Sequence, residues 1–275
     1  MKLRCANLSL DLSTPKVMGI LNVTPDSFSD GGKFHHIDAA LTHAQQMIEQ
    51  GADIIDIGGE STRPGAQPVM LEEELQRVIP VIQALSGCGA VLSVDTYKPE
   101  VMRAAIEAGV HMVNDVFALQ QPGALQAVQD SQVAICLMHM QGTPQTMQVQ
   151  PSYQNVLAEV QAFLTQRVEV VRQIGVGDDR IVLDPGFGFG KKTAHNLTLL
   201  KHLAELHIAN LPILAGLSRK SVLGQIVGQD ADQRVFASVA ASVLAVSHGA
   251  NIVRVHDVKA TVEALKVTTA VMQHL

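Results

Sequence analysis

Eight short apolar runs, most of them rich in valine and isoleucine, recur along the whole sequence and limit its possible folds more than any other feature. Helical periodicity fills the intervals between them, as where Ile37, Leu41 and Ala44 fall on one face before Gly51. Continuous apolar runs are typical of parallel strands covered on both faces. The runs are VMGILNV at 17–23, ADIIDIGG at 52–59, AVLSVDT at 90–96, HMVNDV at 111–116, VAICLMH at 133–139, RIVLDPG at 180–186, LPILAGLS at 211–218 and NIVRVHD at 251–257.

This alternation predicts an α/β fold, a (β/α)8 TIM barrel with a short N-terminal β segment, folded as one domain over residues 1–275. Residues 71–85, 99–108 and 153–174 have the clearest helical period. With 275 residues, 47% of them hydrophobic, the chain is long enough to bury the core of one such barrel. A doubly wound open sheet is the alternative, but the strand count and the lack of a GxGxxG turn weigh against it.

Composition excludes several classes of partner. A net charge of −6 gives no broad basic surface, so we expect neither nucleic acid nor an anionic membrane as a main ligand. Cys5, Cys88 and Cys136 are widely spaced and odd in number, which fits buried thiols in a reducing cytosol. The longest apolar segment, residues 235–246, is shorter than the ~20 residues that a membrane span needs. The sequence therefore predicts a soluble cytoplasmic protein.

The segment VFASVAASVLAV at 235–246 is apolar or small nearly all the way round. A helix of this composition needs cover on more than its barrel side. A subunit interface and burial within the monomer are both open explanations. If the helix is covered by a subunit interface, the protein is a homodimer, and this is what we expect.

Polar residues end the apolar runs with unusual consistency. A single Asp, Asn or Ser at such a place more often caps a helix than takes part in catalysis. Closure of a barrel, however, brings the C-terminal ends of all strands around one mouth, where active sites of this fold lie. The polar residues at or near these ends are Asn22, Asp56, Asp95, Asn114, Asp115, His139, Asp184, Ser218, Arg219, Lys220, Arg254, His256 and Asp257.

These side chains divide by charge. Asp95, Asn114 and Asp184 offer hydrogen-bond acceptors, which suit a flat heterocycle whose edge is rich in N–H donors. Arg254 and His256 stand two apart on one strand and therefore point to the same side, as a phosphate clamp requires. Asn22, Arg63 and Lys220 also favour anions.

Two loop motifs add to this picture. GLSRKS at 216–221 leads from a strand into a helix, whose free N–H groups make an anion site. GFGFG at 186–190 lacks the Gly-Lys-Ser/Thr ending of a phosphate-binding P-loop, and its Phe189 is either a stacking surface or core. No nucleophile elbow or metal cluster is evident, although Asn22 among anion-binding groups is compatible with Mg²⁺.

Taken together, these motifs are recognisable. The sequence resembles the dihydropteroate synthases, folate-pathway enzymes with a pterin-binding barrel, from about residue 17 to the final helix. The resemblance is carried by ILNVTPDSFSDGG, GADIIDIGGESTRPGA, SVDTYKPEV, VNDV, LMHMQGTP, LDPGFGFGK, GLSRKS and IVRVHDVK.

The resemblance implies a transferase that condenses 6-hydroxymethyl-7,8-dihydropterin diphosphate with 4-aminobenzoate, giving 7,8-dihydropteroate and diphosphate. It implies Mg²⁺ as cofactor, held by Asn22 on the diphosphate. Arg254 and His256 would bind the diphosphate, and Lys220 would donate to the pterin carbonyl. The pterin acceptors would be Asp95, Asn114 and Asp184.

For the second substrate the resemblance implies a more open site. Thr62, Arg63, Ser221 and Phe189 would surround the aminobenzoate and the departing diphosphate. Residues 26–32 would form a lid in which Phe28 walls the aminobenzoate and Asp30 faces the cationic methylene. Asp30 would then join Asp95, Lys220, Arg254 and His256 as a catalytic group.

Two other functions remain open. A related pterin-binding methyltransferase would accept methyltetrahydrofolate and work with a corrinoid protein, although ESTRPG and SRK favour the synthase. A non-catalytic paralogue would keep the barrel without its site, although the expected site residues are all present.

Overall fold

Strands and helices alternate along the chain in the order that the apolar runs predict. The structure is a computed structural model that describes residues 1–24, 33–61 and 65–274. The strands of that part are β1 (Lys2–Cys5), β2 (Leu8–Asp11), β3 (Lys16–Asn22), β4 (Ile54–Gly58), β5 (Val91–Asp95), β6 (Met112–Asp115), β7 (Ala134–Met138), β8 (Ile181–Asp184), β9 (Leu214–Ala215) and β10 (Ile252–Val255). Its α-helices are α1 (Lys33–Glu49), α2 (Leu71–Ala84), α3 (Pro99–Glu107), α4 (Ala124–Gln129), α5 (Val156–Gln173), α6 (Thr193–Lys201), α7 (Ser221–Val227), α8 (Val235–Ser247) and α9 (Val258–Gln273).

The helices begin where the sequence supplies a start. α3 opens on Pro99, whose missing N–H is no loss in the first turn of a helix. At the start of α5, the Asn155 side chain accepts from the backbone N–H of Ala158 at 3.1 Å. α2 buries Val78 and Ile82 on its inner face, as an amphipathic helix covering a sheet should.

β3 to β10 form one parallel sheet that closes on itself. Its strand order is β8-β7-β6-β5-β4-β3-β10-β9. The two outer strands meet through a parallel bridge between Leu183 and Ile213, beside a 2.9 Å bond from the Leu183 N–H to the Pro212 carbonyl. The predicted (β/α)8 barrel is therefore confirmed, and all of its strand ends surround one mouth.

The antiparallel hairpin of β1 and β2 packs on the opposite end of the barrel. Its backbone is tied there by the Ala6 N–H, which donates to the Gln132 carbonyl just before β7. The hairpin and the inward side chains of the strand starts form one buried cluster. Its buried members are Leu3, Cys5, Leu12, Met18, Ile54, Val91, Met112, Ala134, Cys136, Val182, Leu214 and Ile252. This apolar layer fills the barrel floor, so polar groups inside the barrel lie above it.

The helix singled out by its apolar composition is only partly covered. α8 buries Ala241 and Ala245 but leaves Phe236 89% exposed. Neighbouring α9 exposes Val267 and Val271 as well. Within the described residues, no helix is both long and apolar enough to cross a bilayer.

Candidate active site

Strand pairing brings Asn22, Asp95 and Asn114 into one row at the barrel mouth. Asn22 pairs with Gly58, Gly58 with Asp95, and Asp95 with Asn114. A Cβ built on Gly58 would lie 3.5 Å from the Cβ of Asp95 and 4.0 Å from Oδ1 of Asn22. Asn22 and Asp95 therefore flank the bare backbone of Gly58.

Arg254 reaches across the mouth and bridges two carboxylates. Its Nε donates to Oδ2 of Asp56 at 2.6 Å, and its Nη2 donates to Oδ2 of Asp95 at 2.7 Å. The sequence predicts Arg254 as an anion clamp. The structure adds that the guanidinium is already fixed by two acidic partners.

Asp56 is a site residue to which sequence reasoning assigned no role. Its side chain is 0% exposed, and its Oδ2 also accepts from Nδ2 of Asn114 at 3.0 Å. The available signal was a charged residue in the middle of an apolar run. That signal is ambiguous, because buried carboxylates also serve structural ion pairs.

The buried carboxylates have shifted pKa values. Burial raises the pKa of Asp95 to about 7, against the opposing effect of the Arg254 charge. Burial likewise raises the pKa of Asp184, and the Lys220 ammonium acts against that rise. Burial alone would lower the pKa of Arg254, but the charges of Asp56 and Asp95 outweigh it and raise that pKa. The mouth thus holds the permanent charge of Arg254 beside two carboxyl groups, Asp95 and Asp184, whose pKa values are raised above the ordinary value.

Lys220 lies between the acceptor cluster and the GFGFG loop. Its ammonium donates to the Phe187 carbonyl and lies 4.6 Å from the centre of the Phe189 ring. Burial lowers the Lys220 pKa to about 8, although Asp184 acts to raise it. Phe187 is fully buried core, whereas the half-buried Phe189 forms a wall beside the ammonium.

The GFGFG loop is locked by the lysine that follows it. Nζ of Lys191 donates to the carbonyls of Gly186 at 2.9 Å and Phe189 at 3.0 Å, and it lies 2.9 Å from Nδ1 of His139. Burial lowers the pKa of His139 to about 3 and that of Lys191 to about 7, so the ring is neutral and its Nδ1 accepts an N–H of Lys191. His139 therefore supports this loop. The motif ending in Lys191 was visible in the sequence, but its contact with His139 was not.

Gly186 is a glycine because its backbone leaves no room for a side chain. Its φ is +68°, and a Cβ there would lie 1.9 Å from the His139 carbonyl oxygen. Its N–H donates to Oδ1 of Asp184 at 2.7 Å. The tight turn thereby fixes the carboxylate that the sequence assigns to the pterin.

The ends of β9 and β10 are tied to each other. Oγ of Ser218 lies 3.1 Å from Nδ1 of His256 and accepts from the His256 backbone N–H. Arg219 forms a two-point ion pair with Asp257 at 2.6 and 3.0 Å. Ser218, Arg219 and Asp257 thus hold the strand ends together and support His256.

Ser221 lies at the rim and not among the acceptors. It is the first residue of α7 and is exposed. A cavity of about 270 Å³ lies beside it, lined by Lys192, Thr193 and Gln225 among others. Asp95, Asn114 and Asp184 do not line this cavity. The mouth is therefore recognised by its convergent polar groups and not by this cavity.

Four predicted site residues, Phe28, Asp30, Thr62 and Arg63, lie outside the described residues. The backbone before 62 is well anchored. Glu60 is bound by the ammonium of Lys98 and by the hydroxyl of Tyr97 at 2.8 Å. Lys98 also pairs with Glu74, which is 1% exposed.

The residues present fit a magnesium ion that is held by only one or two protein oxygens. The described residues contain no group of three His, Cys, Asp or Glu side chains that could cage a metal. Mg²⁺ keeps several waters and commonly takes one or two protein oxygens together with substrate phosphates. The Asn22 carboxamide at the end of β3 offers one such oxygen.

Comparison with known proteins identifies the family of the chain. The family model of the pterin binding enzymes matches residues 18–256. Dihydropteroate synthase of Escherichia coli K12 is 52% identical over 273 residues, covering 99% of this chain and 97% of that protein.

Solved structures give the same result. Xanthomonas albilineans dihydropteroate synthase with 4-aminobenzoic acid has a TM-score of 0.94 at 53% identity, covering 100% of this chain and 99% of the other. Burkholderia cenocepacia dihydropteroate synthase with 7,8-dihydropteroate has a TM-score of 0.91 at 50% identity, with coverage of 98% and 96%. The resemblance read from the sequence motifs is confirmed. The chain belongs to the pterin binding enzyme family and, within it, to the dihydropteroate synthases.

Proposed function

We propose that this chain condenses 6-hydroxymethyl-7,8-dihydropterin diphosphate with 4-aminobenzoate, giving 7,8-dihydropteroate and diphosphate for folate biosynthesis. The observation that carries the proposal is a buried set of acceptors, Asp95, Asn114 and Asp184, flanked by the cations Lys220 and Arg254. Such a mouth fits a heterocycle with an N–H edge at one end and an anionic leaving group at the other.

The pterin ring binds at the acceptor cluster. Asp184 accepts from the amino and ring N–H groups, with Asn114 beside them, and Lys220 donates to the carbonyl. Asp95 faces the ring N–H on the far side. This role is supported by its Oδ1, which is buried without a partner among the described residues. Arg254 covers the ring face.

The leaving diphosphate binds on the cationic side of the mouth. Arg254 and His256 bind its oxygens, and Asn22 holds Mg²⁺ against it. When bound, Mg²⁺ neutralises charge that develops on the departing diphosphate. Arg254 contributes a second fixed charge because its pKa is raised by its acidic partners.

The aminobenzoate binds at the rim. Phe189 and Ser221 form one side of its site, and the remaining contacts come from Phe28, Thr62 and Arg63. Phe189 is half-buried beside Lys220, which supports a ring-stacking role. The carboxylate of the substrate suits the N–H groups at the start of α7.

The order of bond breaking follows from the charges. Loss of diphosphate leaves an electron-poor methylene on an electron-rich pterin, and the Asp95 carboxylate stabilises the positive charge that develops. The family resemblance assigns Asp30, which lies outside the described residues, the same charge-stabilising role. Diphosphate therefore leaves before the amine attacks. Single-turnover assays without aminobenzoate test this order, and complete absence of diphosphate release would contradict it.

The protein works as a cytoplasmic homodimer. Exposed apolar side chains on α8 and α9 support the dimer, because Phe236, Val267 and Val271 have no cover within the described chain. The three cysteines are free thiols, which supports a reducing compartment.

Turnover with purified protein, the pterin diphosphate, aminobenzoate and Mg²⁺ tests the function. We expect dihydropteroate and diphosphate to form in equal amounts. Methyl transfer from methyltetrahydrofolate to a corrinoid protein, with no dihydropteroate formed, would instead favour the related methyltransferases. An inactive folded protein would favour a non-catalytic paralogue.

A further inference from the structure

Asp56 lies inside the barrel, one level below Asp95. It pairs with Ser93 on the neighbouring strand, whereas Gly58 pairs with Asp95. Its side chain is fully buried, and one oxygen, Oδ2, accepts from both Nε of Arg254 and Nδ2 of Asn114. Asp56 therefore contacts two groups assigned to the substrate without reaching the mouth itself.

The shared oxygen decides the orientation of Asn114. A carboxamide has an N–H side that donates and an oxygen that accepts. Because Oδ2 of Asp56 already accepts from a guanidinium, it carries no proton with which to donate to Asn114. Only Nδ2 of Asn114 can face it favourably, since the reversed amide would place two oxygens together. Oδ1 of Asn114 is then the atom left for a ligand.

The other acidic groups also present oxygens. Arg254 occupies Oδ2 of Asp95, while the buried Oδ1 has no partner within the described residues. The Gly186 N–H occupies Oδ1 of Asp184, so Oδ2 is the oxygen of that carboxylate not bound by the turn. With Asn114 fixed, three neighbouring groups offer acceptors.

We propose that Asp56 is a positioning residue that holds Asn114 with its oxygen toward the substrate and anchors Arg254 by Nε. It thereby makes the mouth selective for a heterocycle whose edge carries N–H donors at the acceptor cluster. The inference deepens the proposed function and rests on it, because it specifies how the pterin is distinguished.

Two substitutions of Asp56 separate its acceptor oxygen from its charge. In Asp56→Asn, the amide oxygen in the place of Oδ2 still accepts from both Nε of Arg254 and Nδ2 of Asn114, and the new nitrogen takes the place of Oδ1, which has no partner within the described residues. Asp56→Leu removes the acceptor, so Asn114 can turn its N–H groups toward the pterin donors. A donor against a donor leaves both unpaired, which weakens pterin binding by roughly tenfold to a hundredfold.

A double-variant cycle with the facing residue shows whether Asp56 acts through Asn114. Asn114→Ala removes the carboxamide that Asp56 orients. Adding Asp56→Leu to Asn114→Ala should therefore weaken pterin binding by less than Asp56→Leu does in the wild-type background. Asp56→Ala gives the same comparison if Asp56→Leu yields little folded protein.

Calorimetry with the pterin diphosphate, together with KM values for both substrates, tests the proposal on the full chain. Asp56→Leu should weaken pterin binding by that factor and Asp56→Asn by less than about threefold, while the aminobenzoate KM changes by less than about threefold in both. Asp53→Asn is the matched control on the same strand segment. Asp53 accepts from the Val17 N–H at 2.9 Å and pairs with Lys16 at the other end of the barrel. We expect wild-type pterin binding in that variant.

The outcomes separate clearly. A loss of pterin binding in Asp56→Leu that becomes smaller once Asn114 is replaced by alanine supports the proposal. Wild-type affinity in folded Asp56→Leu, an equal loss in Asp56→Asn, or a loss that is the same with and without Asn114, overturns it. A wild-type chain that binds no pterin overturns the proposed function and this inference with it.

Discussion

Nη2 of Arg254 donates to Oδ2 of Asp95 at 2.7 Å while Nε of the same side chain donates to Asp56. The planar guanidinium holds both carboxylates at once, which a lysine ammonium cannot do with the same geometry. Arg254 thus joins β10 to β4 and β5, which lie on the other side of β3 in the barrel.

Replacing Arg254 by lysine should therefore impair the site. We expect kcat/KM for the pterin diphosphate to fall by roughly tenfold or more in Arg254→Lys, because at least one charged hydrogen bond is lost. Arg172→Lys is the control, since Arg172 makes a two-point pair with Asp178 on the surface. Steady-state kinetics that show equal losses in both variants would contradict a specific role for Arg254.

The raised pKa of Asp95 predicts a pH-dependent stability. The folded pKa is about 7 and the ordinary value is 3.8, so between these values the folded state binds the proton that the unfolded state has released. The stability that protonated Asp95 contributes is fully present below pH 3.8 and is lost as pH rises through about 7.

Urea unfolding of wild type and Asp95→Asn between pH 4.5 and 8 measures this contribution. The free energy of unfolding of wild type, relative to that of the variant, should fall as pH rises through this window. A difference that is constant with pH, or that grows, would show that Asp95 is ionised throughout.

Two glycines with the same backbone angle separate strain from collision. Gly186 and Gly228 both have a φ of +68°, but a Cβ on Gly228 meets nothing within 4 Å, whereas one on Gly186 lies 1.9 Å from the His139 carbonyl oxygen. Gly228→Ala should cost about 1 kcal/mol in the free energy of unfolding. Gly186→Ala should cost at least about 2 kcal/mol more, because backbone must move. Equal costs in urea unfolding would mean that the turn at Gly186 is looser than described.

The exposed face of α8 predicts the oligomeric state. Light scattering at micromolar concentration should give twice the chain mass of 29.4 kDa. Phe236 is 89% exposed on the face proposed to form the dimer contact. Phe236→Glu should therefore shift the protein to monomers, because it would place a charge in that contact. Leu197→Glu on α6, where the side chain is 45% exposed, should remain dimeric. A clean wild-type monomer would refute the dimer.

The sequence predicted the barrel because its evidence is local. Apolar runs and helical periods are set by neighbouring residues, and the helix predicted at 71–85 is observed as Leu71–Ala84. Strand-end position likewise identified Asp95, Asn114 and Asp184, since the fold alone brings them together. These parts required no knowledge of side-chain contacts.

Contacts between residues far apart in the chain could not be predicted from the sequence. Asp56 and Arg254 are 198 positions apart, and nothing in either run indicates their bond. His139 ended a strand like the other site residues, yet Lys191 occupies its Nδ1. Residues of one type at equivalent strand ends thus take different roles, depending on partners that only the closed barrel brings together.

Asp184 tests most directly whether the acceptor cluster of the mouth binds the pterin. Asp184 ends β8 with its side chain 6% exposed, and it is fixed there by the Gly186 N–H. The matched control is Asp178→Ala, which removes a surface carboxylate that lies shortly before β8 and pairs with Arg172. Calorimetric titration of Asp184→Ala with the pterin diphosphate should show no detectable binding while thermal unfolding remains cooperative. Undiminished pterin affinity in that folded variant would contradict the account.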